Sequence, residues 1–340
     1  MKKIYRILII FFAFFSCREN MTDNTEETFV AFWRALDEDY AYFDEKNLDW
    51  DSIYRVYYPQ AQQSKYNEEL HRIFEEIVLQ FKDRNIAIFT TSNMLFDQIR
   101  WYEDSRADTL YANNHRLDID FDLKYYQFID NQIYFRCWQD TIKKYAFTEL
   151  FSPESFLYYK DSISYENGII IDIRNNYENN ENILSIASLF FENELIAYYE
   201  SVRTGKGRNA WSEKTPKMLL GQGKISANIP VVVLTSPRTA SMANCLVNVM
   251  KQLPNCRIIG EQGIDVLRTE KYESIILPNY WQLLYPVFSS KKYDENGNCL
   301  DIIGVKPDIF VEMRNFYRYE NMKDSMVLKA IEVLDSINGF

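Results

Sequence analysis

The chain has 340 residues, 47% of them hydrophobic, and a formal net charge of −11 at pH 7. It is long enough for one large domain or two smaller ones, with ample apolar material for a core. The acidic balance argues against nucleic acid or an anionic lipid surface as a partner, because no stripe of lysine and arginine offsets phosphate repulsion.

The first residues have the pattern of an export signal. A basic start with Lys2, Lys3 and Arg6 precedes an apolar run over 7–15, which is too short to span a bilayer as a helix. A buried N-terminal helix is the alternative interpretation, but the chain has ample core material without it. The run leads to Cys17 in a context that resembles a bacterial lipobox, and acyl chains on this cysteine would anchor the protein stably in a lipid bilayer. The predicted location is therefore the bacterial cell envelope, periplasmic or cell-surface.

After the signal of residues 1–17, residues 18–28 are polar and aperiodic, as expected of a tether. Spaced aromatic residues over Phe29–Asp37 and Asp51–Tyr58 then predict helices around a loop. Apolar residues from Leu70 to Phe81 mark one face of a longer helix.

Residues 86–340 are predicted to form an αβ core that follows an N-terminal helical domain of residues 29–85. Short runs such as Ile86–Thr90 and Gln132–Phe135 are typical of half-buried strands. The nearly continuous apolar run Gly168–Arg174 is typical instead of a strand that is covered on both faces.

The same plan recurs further along the chain. The run Val231–Thr235 predicts a strand, the apolar spacing over 241–253 predicts a helix, and Arg257–Gly260 predicts the next strand. Successive strand–helix units make a parallel sheet the expected arrangement. A turn at 294–297 and a closing helix at 324–334 complete the predicted core.

Ser241 stands where a polar turn meets this predicted helix. In the first turn of a helix, its hydroxyl oxygen would lie near unpaired backbone N–H groups and the positive end of the helix dipole, which favours a developing oxyanion. The alternative interpretation is that Ser241 caps its helix, a role that serine often fills.

Several short motifs occur in an informative order. They are Lys82-Asp83-Arg84-Asn85, Asp172-Ile173-Arg174-Asn175-Asn176, Thr239-Ala240-Ser241-Met242-Ala243-Asn244, Ile258-Ile259-Gly260-Glu261 and Gly304-Val305-Lys306-Pro307-Asp308. Each motif alone is weak. In this order they resemble the tail-specific, or C-terminal processing, serine peptidase family, and in particular its tricorn-core-like branch of exported bacterial lipoproteins. The resemblance covers most of residues 29–336.

The resemblance implies an α/β fold with a spiral αβ core, like that of crotonase and Clp protease, and a small N-terminal helical domain. Many members of the family also have a peptide-binding PDZ domain. Here the stretch before Gly168 must supply strands of the core, so we predict that no complete PDZ domain is present. The implied partners are polypeptides or peptide C-termini, and neither a cofactor nor a metal is expected.

Carried over onto this sequence, the family's nucleophile corresponds to Ser241, and the backbone N–H of Met242 corresponds to an oxyanion donor. The family's late acidic residue corresponds to Asp301. Three positions depart from the pattern. Asn85 replaces the histidine that acts as general base, and Tyr177 replaces a glycine that lets a backbone N–H approach the oxyanion. Asp301 replaces a glutamate, so the carboxylate is kept on a side chain that is one methylene shorter. An asparagine side chain cannot take up the serine proton, and a side chain at position 177 restricts that approach.

No other residue fits the position of the base. His71 lies in a predicted helix, where a packing or solvated role is expected, and His115 lies in a polar, loop-like stretch. Another branch of the family uses a serine–lysine dyad, but Lys271 comes a few residues too late and lacks the desolvated setting that such a lysine requires.

The cysteines after the signal are Cys137, Cys245, Cys256 and Cys299. They form no C-x-x-C pair and have no histidine close in sequence, which disfavours a zinc site. Export permits disulfides, but positions within a predicted helix and strand favour buried free thiols.

Three functions remain open. The first is an active peptidase with an unrecognised base that cleaves exported polypeptides near their C-termini. The second is a silent member that binds peptide or another ligand, and the third is a structural lipoprotein, which leaves Ser241 and Asp301 unexplained. In subtilisin, loss of the histidine alone lowers kcat by about 10⁶-fold, so we expect hydrolysis to be impaired.

Overall fold

The computed structural model describes residues 24–83, 85–92, 95–100, 125–129, 133–139, 144–149, 168–174, 176, 181–263, 271–312 and 325–339, with the backbone alone between 91 and 149. The predicted signal with Cys17, the residues His115 and Tyr177, and much of the stretch that bears on a PDZ domain lie outside these ranges. Of the helices it describes, none has both the length and the hydropathy that crossing a bilayer requires.

Helices α1 (Thr25–Asp39), α2 (Trp50–Gln63) and α3 (Asn67–Phe81) form the N-terminal part of the fold. Their apolar residues recur at helical spacing, so each helix buries one face in a shared aromatic core. At its centre the rings of Phe32 and Phe74 lie 4.5 Å apart between centroids. Burial of a ring of this size contributes roughly 2–3 kcal/mol to stability.

The turn after α3 carries a candidate site residue. The helix ends where Lys82 adopts a φ of 47°, a left-handed conformation that stops a helix. Asp83 follows with 0% of its surface exposed, and its carbonyl accepts the N–H of Ile86 at 3.3 Å. The first strand begins at Ala87. Asn85 is therefore buried between the helical core and a sheet.

Among the described residues, the strands form three sheets. The strands are β1 (Ala87–Ser92), β2 (Leu95–Arg100), β3 (Tyr125–Ile129), β4 (Ile133–Gln139), β5 (Lys144–Glu149), β6 (Gly168–Asp172), β7 (Leu195–Val202), β8 (Thr215–Leu219), β9 (Val231–Thr235), β10 (Cys256–Gly260), β11 (Lys271–Ile276), β12 (Gln282–Val287), β13 (Ser290–Tyr293) and β14 (Ile309–Phe310). The sheet orders are β14-β10-β9-β6-β5-β4-β3, β11-β12-β1-β2 and β13-β7-β8. In the first sheet β14, β10, β9, β6 and β5 pair in parallel. β4 pairs antiparallel with both β5 and β3.

The remaining helices are α4 (Leu184–Ser188), α5 (Met242–Met250) and α6 (Ser325–Asn338). They explain the continuous apolar runs of β6 and β9, because successive residues of a strand face opposite sides of the sheet. On one side, Ile171 and Val233 pack in a cluster with α4 and α5. On the other side, Ile170 and Val232 pack against α6. The parallel sheet is therefore covered by helices on both faces.

The predicted α/β fold, with N-terminal helices and a parallel-sheet core, is confirmed. Element bounds differ in detail. The helix predicted over 241–253 ends at Met250, and Leu253 packs into the core from the turn beyond it. The domain boundary after residue 85 stays a prediction. Ile88 of β1 and Leu283 of β12 lie beyond that boundary in the sequence, yet they pack in the same aromatic core as the helices.

Candidate active site

Ser241 lies in a sharp turn between a strand and a helix. It follows β9 and directly precedes α5, with a φ of 55° and a ψ of −127°. L-residues rarely adopt this conformation, and it costs on the order of 1–3 kcal/mol. The side chain makes no capping hydrogen bond to the helix, which argues against the interpretation of Ser241 as a helix cap. A strained serine between a strand and a helix has the geometry of a nucleophile elbow.

Hydrogen bonds connect the turn before Ser241 to the segment that follows β6. Thr239 Oγ1 donates a hydrogen bond to the carbonyl oxygen of Ile173 at 3.0 Å. The N–H of Ala240 donates to the carbonyl oxygen of Asn176, with a nitrogen–oxygen distance of 3.1 Å. These bonds join the exits of two neighbouring parallel strands, the region of an open α/β sheet where ligand sites form.

A buried ion pair braces the same region. Arg174 Nε donates to both carboxylate oxygens of Asp172, at 2.9 and 3.0 Å, and each side chain is only 2% exposed. Arg174 Nη1 lies 3.9 Å from Met326 Sδ of α6, and its carbonyl oxygen accepts a hydrogen bond from Ser236 Oγ. The Asp-x-Arg motif therefore connects β6, the Ser241 turn and the closing helix.

Glycines let the exit of β10 approach this turn. Gly260 has a φ of 131°, and a Cβ there would lie 2.0 Å from the carbonyl oxygen of Thr235. A Cβ on Gly263 would lie 2.1 Å from the carbonyl oxygen of Thr239. Both positions require glycine because a methyl group would collide with backbone atoms. Gly263 belongs to none of the sequence motifs quoted above, although it stands shortly after the Gly-Glu motif.

Asn85 is 3% exposed and fixed by hydrogen bonds on both sides of its carboxamide. Its backbone nitrogen and its Nδ2 each donate to Asp83 Oδ1 at 2.9 Å, and its Oδ1 accepts from Tyr272 Oη at 2.6 Å. Asp83 Oδ2 also accepts from Tyr40 Oη at 2.9 Å and lies 3.5 Å from Lys46 Nζ. A carboxamide held in this way orients its neighbours but takes up no proton.

Asp301 is buried and paired with a lysine that the sequence analysis missed. Asp301 Oδ2 accepts the backbone N–H of Lys292 at 2.8 Å. Its Oδ1 lies 3.8 Å from Lys292 Nζ, and both side chains are 5% exposed. Asn244 Nδ2, in the first turn of α5, donates to the carbonyl oxygen of Leu300 at 3.0 Å. The loop with Asp301 therefore lies against the helix that follows Ser241, and the charge of Asp301 is offset by Lys292.

The described cysteines are poor alternative nucleophiles. Burial raises the pKa of Cys245, in the first turns of α5, far above its usual range. Burial also raises the pKa of Cys256 to about 12 and raises the pKa of Cys299. The thiolate is the reactive form, so these residues stay inert at neutral pH. The prediction of buried free thiols is confirmed for these cysteines, whereas the side chain of Cys137 lies outside the description.

The other candidate bases lie in unsuitable surroundings. The His71 ring packs edge-on against Trp281 at 6.0 Å between centroids, in the helical region. The Lys271 side chain is 67% exposed and pairs with Glu273, so it lacks the desolvation that a dyad lysine needs. Among the residues that the structure describes, no cluster of His, Cys, Asp and Glu is arranged to hold a metal ion.

A cleft of 640 Å³ opens near the C-terminal end of α5, a volume within the range of ligand sites. Its lining includes Asn248, Gln262 and Gly304. Gln262 Nε2 donates to the carbonyl oxygen of Gly304 at 2.6 Å, and the N–H of Gly304 donates to the carbonyl oxygen of Gly263 at 3.1 Å. The cleft therefore borders the glycines that pack beneath the Ser241 turn.

Two segments of the chain match known family profiles. Residues 158–311 match peptidase family S41, and residues 21–78 match the tricorn protease C1 domain. Among curated proteins, no sequence match is found.

Solved structures with a similar fold extend over nearly the whole chain. A putative peptidase from Parabacteroides merdae is 24% identical, with a TM-score of 0.67 over 91% of this chain and 96% of its own. Mature CPAF, solved in complex with lactacystin, is 10% identical, with a TM-score of 0.63 over 93% of this chain and 99% of its own. At these identities the likeness shows a shared fold. The chain therefore matches peptidase family S41 over residues 158–311 and shares its fold with these two solved structures.

Proposed function

We propose that this chain binds exported polypeptides at the Ser241 site and that its capacity to hydrolyse them is strongly impaired. The observation that carries the proposal is the state of Asn85. Both sides of its carboxamide are engaged, with Asp83 and with Tyr272, and the group has no lone pair of sufficient basicity to accept a proton.

Acyl transfer requires that Ser241 Oγ lose its proton as it attacks the carbonyl carbon of a peptide bond. In the family pattern the proton passes to a histidine at position 85 and then to the leaving amine. Asparagine cannot perform that proton transfer, and in subtilisin the loss of the histidine alone lowers kcat by about 10⁶-fold. The features that would position a polypeptide carbonyl are the strained turn at Ser241 and the backbone N–H of Met242. Binding without efficient hydrolysis fits this combination.

A second candidate is an active peptidase with a base outside the family pattern. The conformation of Ser241 favours it, because a backbone strain of about 1–3 kcal/mol at one serine is a cost that a purely structural turn does not need. The two candidates differ in the reactivity of Ser241, which can be measured without knowledge of the substrate.

The test is labelling with a fluorophosphonate, which reacts with activated serines. We expect the natural protein to label barely above a Ser241→Ala control. Asn85→His should increase Ser241-dependent labelling about 10- to 100-fold, because a base at this position contributes 10²–10⁴-fold when fully aligned. Addition of Tyr177→Gly should increase it further. Strong Ser241-dependent labelling of the natural protein would contradict impaired hydrolysis, and no gain in either variant would mean that Asn85 is not at the site.

We also propose that the protein is a lipoprotein of the bacterial cell envelope, anchored through Cys17. The basic start, the short apolar run and the following cysteine support this proposal. Cys17→Ser should move the protein from the membrane fraction to the soluble fraction, as judged by immunoblotting after cell fractionation. A variant that stays membrane-bound like the parent would place the anchor elsewhere.

A further inference from the structure

The turn that leads from β13 towards Asp301 contains an asparagine followed by a glycine. Residues 294–297 close this turn, and the N–H of Gly297 donates to the carbonyl oxygen of Asp294 at 3.1 Å. Gly297 has a φ of 83°, a left-handed conformation that glycine adopts without strain. Asn296 and Gly297 are both exposed. The pair therefore lies in a tight turn at the surface, in contact with water.

Nothing holds the side chain of Asn296 in place. Its backbone N–H donates to Asp294 Oδ1 at 2.9 Å, but its carboxamide makes no hydrogen bond to any residue that the structure describes. The space beside Gly297 is open as well. Apart from its neighbours in the chain, a Cβ at this position would have only Lys214 Nζ within 4 Å, at 3.7 Å. The carboxamide can therefore turn towards the backbone nitrogen of Gly297 without a collision.

An asparagine in this setting reacts with its own backbone. The nitrogen of Gly297 loses its proton to water and attacks Cγ of Asn296, so that an N–Cγ bond forms and the Cγ–Nδ2 bond breaks. Ammonia leaves, its additional proton supplied by water, and a succinimide ring remains. A water molecule then opens the ring. Opening at Cγ gives aspartate, whereas opening at the backbone carbonyl gives isoaspartate, in which the main chain runs through Cγ and is one methylene longer.

The chain contains a second Asn-Gly pair that the structure describes, and its surroundings differ. Asn338 is the last residue of α6, and its Nδ2 donates to the carbonyl oxygen of Leu334 at 2.8 Å. This bond must open before the carboxamide can reach the nitrogen of Gly339. Both pairs lack a Cβ beside the attacking nitrogen, which favours the ring. The fold therefore ranks Asn296 above Asn338 in reactivity.

We propose that Asn296 is a modification site, at which the folded protein converts asparagine to isoaspartate and aspartate through a succinimide, with water as the only co-reactant. Isoaspartate lengthens the main chain inside a turn whose spacing is set by Asp294, because Asp294 Oδ1 accepts the N–H groups of Asn296 and Asn298 at 2.9 and 2.8 Å. The longer chain no longer fits this spacing. The product therefore loosens the turn before Asp301 and adds a carboxylate to the cleft that Asp294 and Asn296 line.

The modification is measured on the natural full-length protein, incubated in mildly alkaline buffer and digested at mildly acidic pH. Isoaspartate is identified by electron-transfer mass spectrometry. It should accumulate about 2- to 10-fold faster at Asn296 than at Asn338, the range for one hydrogen bond that must first open. In urea this difference should shrink, because the fold no longer holds Asn338. Absence of isoaspartate at Asn296, or equal rates at the two sites in the folded protein, would overturn the assignment.

Two variants complete the test. Asn296→Gln keeps the amide on a longer side chain, which disfavours ring closure, and it should give no product at this position over the same time. Asn296→Asp adds the charge but leaves the main chain unchanged. Hydrogen exchange of the amides of residues 296–298 should be about 10-fold faster in the purified isoaspartate form than in Asn296→Asp.

Equal exchange in these two forms would overturn the loosening of the turn, and product formation in Asn296→Gln would show that the ring does not form at this residue. Neither measurement involves a bound polypeptide or Ser241. The modification therefore stands or falls separately from the proposed function.

Discussion

The backbone of Ser241 is the residue-level feature that most clearly separates this turn from an ordinary connection. Its φ of 55° and ψ of −127° are imposed from outside, since Thr239 and Ala240 are bound to the exit of β6. Gly263 packs against the same turn, so close that a Cβ would lie 2.1 Å from a carbonyl oxygen. The surroundings therefore maintain a conformation that the serine itself disfavours.

This strain predicts a difference between two substitutions of Ser241. Ser241→Ala keeps the steric strain of a Cβ, whereas Ser241→Gly relieves it at the cost of greater freedom in the unfolded chain. We expect the glycine variant to have a free energy of unfolding roughly 1 kcal/mol above that of the alanine variant. Urea titration followed by circular dichroism measures the difference. Equal or lower stability of the glycine variant would show that the turn is not strained.

The position of Ser241 could be predicted from the sequence because its signal is local: an apolar strand, a polar turn and helical spacing follow one another within about 20 residues. The partners of the other site residues have no such signal. Tyr272 is 187 residues away from Asn85 in the chain, and it reaches Asn85 only because β11 is paired with β12 and β12 with β1. Lys292 lies just before the turn predicted at 294–297, in a polar stretch with no sign of burial, yet it is buried beside Asp301. Side-chain pairs that depend on strand pairing become visible only in the fold.

At the scale of elements, the site is held by connections between strand ends. The parallel strands β6, β9 and β10 end on the same side of the sheet, and loops after each of them meet at the Ser241 turn. Asp308 contributes to the outer part of this arrangement, because its Oδ2 accepts the backbone N–H of Ile258 in β10 at 2.8 Å. This bond gives Asp308 a structural role, because it ties the segment before β14 to β10.

The ion pair after β6 should be costly to break from one side only. Arg174→Met leaves the carboxylate of Asp172 buried without its partner, and we expect the free energy of unfolding to fall by about 3–5 kcal/mol. Replacing both residues, with Asp172→Leu and Arg174→Met, should recover much of the loss. The control is Lys329→Met, which removes a largely exposed pair on α6 and should change stability little. If the free energy of unfolding of Arg174→Met equals that of the Lys329→Met control, the ion pair does not stabilise the end of β6.

The strands of the core were predictable because burial on both faces leaves a continuous apolar run, as in β6 and β9. Their order in the sheet was not predictable, since the apolar pattern records burial and carries no information about neighbours. The end of a helix was not predictable from the local sequence pattern either. The spacing of apolar residues continues to Leu253, which is buried, although the helix ends at Met250.

Across the described parts of the molecule, several buried or half-buried phenols lie near carboxylates. Burial raises the pKa of Tyr42, Tyr198 and Tyr285, and neighbouring carboxylates raise it further. Burial raises the pKa of Tyr293 as well, and Glu45, which accepts its hydroxyl at 2.6 Å, adds to the shift. Each of these groups therefore holds its proton more tightly in the folded state than in the unfolded chain.

This predicts a loss of stability in alkali. An unfolded tyrosine ionises near pH 10, whereas the folded groups do so only at higher pH. Above about pH 10 the unfolded state therefore binds fewer protons than the folded state, and stability falls as the pH rises further. Urea midpoints should begin to decrease above about pH 8, as the thiols of the unfolded chain ionise while buried Cys245, Cys256 and Cys299 do not. The decrease should steepen above about pH 10 as the unfolded phenols ionise, and this second part should be shallower in Tyr293→Phe. Absorbance at 295 nm that reports full phenol ionisation near pH 10 in the folded protein would contradict the prediction.

The carboxamide of Asn85 has one more consequence, which concerns the environment in which the protein works. A histidine at this position would gain or lose charge between about pH 5 and 8, and the site around it would change with the acidity of its surroundings. A carboxamide has no ionisable proton in that range, and its bonds to Asp83 and Tyr272 keep the same polarity. With asparagine in place of the histidine of the family pattern, position 85 has no imidazole that gains or loses charge between acidic and neutral surroundings.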